Sequence, residues 1–192
     1  MRSIVIIAVV WWSIVGCIES PPMHHYTLIT PTPKVIPHPS HTHQSLKVLY
    51  PRSLKSQAGV AMHYHYSGEE SGVYLHSAWS NDIGKLLEGS LIEALSRSGV
   101  FGAVVSYHST LETTYRLEST LYALEHRIRG EASYAILSVE CRLIDAREGG
   151  LVKSRRFSYQ VPTTQTNAKG YAEATNHALA RFVEELLAWL IV

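Results

Sequence analysis

The sequence predicts an α/β fold: one mixed sheet with helices packed against it, a mixed-sheet α/β sandwich. Three observations carry this. Phe157, Tyr159 and Val161 alternate with Ser158 and Gln160, the period of a half-exposed strand, and similar runs recur along the chain. Two segments carry apolar stripes at helical spacing. The order is strands, helix, strands, helix, which places both element types around one core.

Taken in order, "HHYTLIT" (24–30) is strand-like and placed to dock on the domain. "LKVLYP" (46–51), "VAMHYHYS" (60–67) and "GVYLHSAW" (72–79) read as strands, and "EESG" before the last is turn-like. Ser80, Asn81 and Asp82 are all N-cap residues. Leu87, Leu91, Ala94 and Leu95 follow at helical spacing with Ile83 on the same face, and Gly99 is placed for the C-cap. "AVVSY" (103–107) is a short buried strand. Three longer strands, 114–126, 133–145 and 151–161, are separated by Gly130 and by Gly149-Gly150, so they form an antiparallel meander. Pro162 stops the last one. A long helix runs from Asn167 to the end, with a stripe of Tyr171, Ala174, Ala178, Phe182, Leu186 and Trp189 or Leu190.

The N-terminus has a different character. Ile4 to Val15 is an apolar run with one Ser and no charge. As a helix it reaches about 18 Å, short of the about 30 Å of a bilayer core and suited to a signal-peptide h-region. Ile14-Val15-Gly16-Cys17 then resembles a bacterial lipobox, in which the cysteine is lipidated and becomes the first mature residue. This divides the chain into a lipoprotein signal peptide (1–16), a lipidated Cys17 with a Pro/His-rich tether (17–45), and a single domain (46–192). Six of the eight prolines fall between 18 and 45, and proline favours extended chain. Ile18 rather than Asp after the cysteine points to outer-membrane anchoring with the domain facing the periplasm.

The only other cysteine is Cys141. It shares an apolar strand face with Ala135, Leu137, Val139 and Leu143 and reads as an inert core residue. Removing residues 1–16 takes away Arg2 alone, leaving 16 basic and 16 acidic residues. Such a balance, with no Lys/Arg run, offers no footprint for nucleic acid.

Histidine is enriched, at eleven residues. His24-His25, His41-x-His43 and His63-x-His65 have metal-like spacing. On a strand, His63 and His65 share a face, but two ligands do not make a zinc site, and no metal or other cofactor is assigned. G-x-S-x-G, H-E-x-x-H and Walker patterns are missing, and the carboxylates are scattered, so the sequence points away from an enzyme.

The pieces together resemble a known family. A lipobox precedes "YTL" (26–28) and a strand near Val48. "YLHSAWSNDIGKLLEGSLIEALSRSGVF" follows, then "YRLESTLYALE", a strand ending in "RLIDA", the basic "KSRRFSY" strand and a C-terminal helix. This resembles the ABC-type transport auxiliary lipoprotein component family. The resemblance implies an anticodon-binding-domain-like α/β/α sandwich. It also implies a role beside a mammalian-cell-entry-domain lipid transporter, whose ATPase and permease lie in the inner membrane. Implied partners are the periplasmic tunnel-forming protein of that system, its ABC transporter, the membrane through the lipid anchor, and further copies of the chain. Tyr74 and Trp79 are then candidate partner contacts, because aromatic residues anchor interfaces; alternation puts them on opposite faces. The rival reading is a periplasm-facing lipoprotein that itself binds a metal ion or an apolar ligand.

Overall fold

The computed structural model describes residues 21–33, 41–53, 58–66 and 70–191. Its elements in chain order are β1 (His24–Tyr26), β2 (His41–Val48), β3 (Arg52–Ser53), β4 (Ala61–His65) and β5 (Ser71–Trp79), then α1 (Ile83–Ser98) and β6 (Phe101–Ser106). The chain continues through β7 (Tyr115–Arg129), β8 (Ala132–Asp145), β9 (Leu151–Pro162) and α2 (Ala168–Ile191). This is the expected mixed-sheet α/β class, with strands, helix, strands and helix in that order.

The long strand β7 organises the sheet. β8 pairs antiparallel along one of its edges, and β9 pairs antiparallel with β8, giving the expected meander. Three short strands lie end to end along the other edge, all parallel to it. β2 faces Tyr115–Leu117, β3 faces Thr120–Leu121 and β4 faces His126–Arg127. From there the sheet forks. β2 continues to β6 in parallel, while β4 continues to β5 antiparallel and β5 to β1 in parallel.

Both helices cover one face. Ile83 and Leu87 of α1 meet Leu121, Leu124 and Leu137 of the sheet and Thr175 and Leu179 of α2 in one cluster. On β8 the inward residues Ala135, Leu137, Val139, Cys141 and Leu143 are all buried, as the alternation predicts. The described residues therefore form two layers, a sheet and one helical layer, rather than the three of an α/β/α sandwich. Across β7, β8 and the middle of β9 the outer face of the sheet is polar. Arg142 pairs with Glu140, Arg156 lies over the Tyr122 ring, and Ser138 hydrogen-bonds Ser158.

Helix boundaries follow from local chemistry. Of the three N-cap candidates Asp82 is the cap, its Oδ1 accepting from Gly84 N at 2.9 Å and Lys85 N at 3.4 Å. The same carboxylate accepts from Tyr50 Oη, and its Oδ2 accepts from Gly59 N at 2.9 Å, so it joins the helix start to two loops. Gly99 ends the helix at φ 70°, where a Cβ would be strained. Asn167 caps α2 by accepting from Gly170 N at 2.9 Å. Leu190, not Trp189, completes the buried stripe of α2; Trp189 is half-buried at its margin.

One strand boundary differs from expectation. The strand expected from Leu46 starts at His41 and ends at Val48, and pairing with β7 resumes as β3 just after Pro51, whose missing N–H cannot join the ladder. The 24–30 segment docks on the domain, as its strand-like sequence predicts. β1 pairs with Ser77–Trp79 of β5, and beyond it Ile29 N donates to Asn176 Oδ1 at 2.8 Å while Asn176 Nδ2 donates to Thr27 O at 3.2 Å. One side chain of α2 thus satisfies two backbone groups of a segment outside the sheet.

Candidate functional site

Cys17, the expected lipidation site, lies outside the described residues. The described chain nearest to it is exposed over residues 21–23 and then enters β1, at the margin of the forked half of the sheet.

Both aromatic candidates are on β5, Trp79 at the end that pairs with β1 and Tyr74 nearer the other end. Trp79 is 1% exposed and meets Tyr171 of α2 edge-to-face, with ring centroids 5.6 Å apart. This corrects the expectation of an exposed contact: Trp79 is a core residue. Tyr74 is half-buried, and its Oη is 2.7 Å from His126 Nδ1. The opposite-face expectation fails because β5 is irregular. Ala61 pairs with Ala78, but the next pair is His63 with Val73. Extra residues in β5 break the period of two, so Tyr74 and Trp79 both reach the α2 side of the sheet.

There they frame a buried ring stack. The His126 ring is parallel to that of Tyr171, with centroids 5.4 Å apart and an interplanar angle of 4°, and it also stacks on Tyr74. Tyr64 closes the cluster against Tyr74. Gly72 lies beneath the Tyr64 ring; a Cβ there would come within 2.5 Å of it. His126 is fully buried, and its Nε2 has no hydrogen-bond partner among the described residues. Burial lowers its pKa to about 4, so it is neutral at ordinary pH. Burial likewise pushes Tyr74 up to about 12. Sequence inspection missed His126 because it follows no motif; only the pairing of Tyr64 with His126 places it among the aromatics.

His63 and His65 occupy the opposite, outer face, together as expected. His65 Nε2 lies 3.2 Å from Glu125 Oε2, and Arg127 binds the same carboxylate. Burial and then the neighbouring His65 lower the His63 pKa. Among the described residues no group of three or more His, Cys, Asp or Glu is placed to hold a metal ion. The Cys141 thiol is buried, and burial raises its pKa far above the usual range, which makes it a poor nucleophile.

Apolar surface is also exposed in two places of note among the described residues. Around the β4–β5 pair, Val60, Tyr66, Val73 and Leu75 are exposed, Leu75 to 76%. On the far side, Pro31–Pro33 and the C-terminal half of α2 enclose a groove of about 380 Å³, with Val183, Leu187 and Ile191 at its base. No described helix is long and apolar enough to cross a membrane.

Comparison with known proteins agrees with this architecture. The model of the ABC-type transport auxiliary lipoprotein component family matches residues 26–186. A crystal structure of a protein from Xanthomonas campestris is 24% identical, covers 86% of this chain and 93% of its own, and superimposes with a TM-score of 0.75. A second solved structure, of an uncharacterized protein, is 17% identical, covers 88% of this chain and 99% of its own, and has a TM-score of 0.69. At these identities the likeness is one of fold. No curated protein matches the chain.

Proposed function

This chain belongs to the ABC-type transport auxiliary lipoprotein component family, and from that premise we propose that it is a membrane-anchored accessory subunit of a mammalian-cell-entry-domain lipid transporter. It works by docking at the outer membrane and catalyses nothing. Cys17 is the lipidated anchor, and the tunnel-forming periplasmic protein is the partner.

The observation that carries the docking role is the exposed apolar surface of β4 and β5, with Leu75 and Val73 at its centre. Exposed aliphatic side chains beside buried aromatics suit an interface whose anchors are already held rigid. Tyr74 serves this surface from beneath, fixed by His126. The docked β1 also shortens the leash. From Cys17 to His24 the chain spans about 25 Å fully extended, in place of the about 90 Å that an undocked tether to residue 45 allows. The domain therefore works close to its anchor.

The test is co-purification of the tunnel protein with the full chain and with Leu75→Glu. The charged variant loses capture of the tunnel protein while keeping its melting temperature. Undiminished capture would remove β5 from the interface. Cys17→Ser tests the anchor separately: the chain moves to the soluble periplasmic fraction and loses its acyl mass.

The groove between Pro31–Pro33 and α2 favours a second reading, in which the lipoprotein itself holds an apolar ligand. Native mass spectrometry of gently extracted protein separates the two, since stoichiometric lipid on the chain alone supports direct binding.

A further inference from the structure

At the start of β7, far along that strand from His126 and the β4–β5 surface, the polar outer face folds into a cleft of about 670 Å³. Lys47 of β2, Arg116 of β7 and Arg147 of the β8–β9 turn line it, with His43 at its margin and Glu112 as its one carboxylate. Elsewhere on the domain Arg97, Arg127, Arg142 and Arg155 each reach a carboxylate. Among the described residues none of the three cleft cations does. Lys47 Nζ donates once, to Ser109 O at 3.0 Å, which leaves two of its protons unused. Arg116 is half-buried, and its Nε is shut off from solvent without a partner. The nearby Asp145 carboxylate accepts from the backbone N–H groups of Arg147 at 2.8 Å and Glu148 at 3.1 Å, and it feels the Arg147 charge without forming an ion pair with it.

Three convergent cations of two geometries, a guanidinium fork and an ammonium point charge, match a tetrahedral oxyanion better than a planar carboxylate, which one Arg saturates. We propose that this cleft is a phosphate-binding site, taking either a phosphodiester headgroup or a free phosphate. Arg116 is its central ligand, and Lys47 and Arg147 flank it.

The test titrates the full chain in neutral detergent at low salt with inorganic phosphate, with glycerophosphoglycerol as a deacylated phosphodiester headgroup, and with acetate. Arg116→Gln weakens phosphate binding about tenfold, the usual effect of losing one charge-assisted contact. Arg147→Gln, on an exposed turn where folding is unaffected, weakens it in the same direction, and Arg97→Gln on α1 leaves it unchanged. Tighter binding of the phosphodiester assigns the site to a lipid headgroup; tighter binding of inorganic phosphate assigns it to the free ion. The proposal is overturned if no saturable phosphate binding is seen, if acetate binds equally well, or if Arg116→Gln and Arg147→Gln both bind as the unaltered chain does.

Discussion

The two faces of β8 teach different lessons from one stretch of fourteen residues. On the inner face, Ala135, Leu137, Val139, Cys141 and Leu143 are sealed beneath α2 and contribute by leaving water. On the outer face, Ser138, Glu140 and Arg142 stay polar and are held by neighbours on the flanking strands and on β8 itself. The inner face concentrates stability, while the outer face and the β4–β5 surface stay in contact with water. Substitutions on the two sides should therefore differ by an order of magnitude in their cost.

The largest effect is expected at Trp79. Trp79→Ala opens a cavity beside Tyr171 and lowers unfolding stability by about 3–5 kcal/mol in urea titration. Leu75→Ala, four residues away on the exposed surface, costs about 0.5 kcal/mol or less. Equal losses would erase the distinction between the faces.

The next effect depends on pH. The folded pKa of His126 is lowered to about 4 from an ordinary 6.5, so the unfolded chain binds the proton more readily. Its contribution to stability is complete above the unfolded value and is lost as pH falls toward 4, by about 3 kcal/mol in all. His126→Phe flattens that part of the pH–stability curve. An unchanged slope between pH 6.5 and 4 would move the acid sensitivity to another group.

Asp82 sharpens the contrast at the helical layer. Burial alone would raise the pKa of its carboxyl, but hydrogen bonds from Tyr50, Gly59, Lys85 and Gly84 outweigh this and hold it below the ordinary value. Its contribution is present above the unfolded pKa and is lost as pH falls through the folded one. Asp82→Ala costs about 1–2 kcal/mol at neutral pH, read from the denaturation midpoint. The smallest effect is expected at the exposed Arg155–Glu185 pair, whose nitrogen and oxygen are 3.1 Å apart. Arg155→Ala changes stability by about 0.5 kcal/mol or less, and less still at high salt.

The strands and helices were legible because each obeys a local period. The inward row of β8, the stripe of α2 from Tyr171 to Leu186 and the cap at Asp82 needed no knowledge of neighbours. The misreadings share one cause. Trp79 was misplaced because extra residues in β5 break a period that holds in the rest of the strand. The 24–30 segment was legible as a strand that docks, but not its partners, Ser77–Trp79 and Asn176, which are distant in sequence. His126 and the Lys47–Arg116–Arg147 cleft were invisible for the same reason, since each is assembled from separate strands. The family resemblance was readable from the order of motifs, whereas the exposed β4–β5 surface was not.

Periodicity, caps and turn glycines settle which residues are strand or helix and which side of each is apolar, because these depend on backbone geometry within a few residues. The forked sheet around β7, the buried ring stack at His126 and the cationic cleft exist only once distant strands are in register. Burial and charge convergence are properties of surfaces brought together, and a linear chain does not display which of its surfaces will meet.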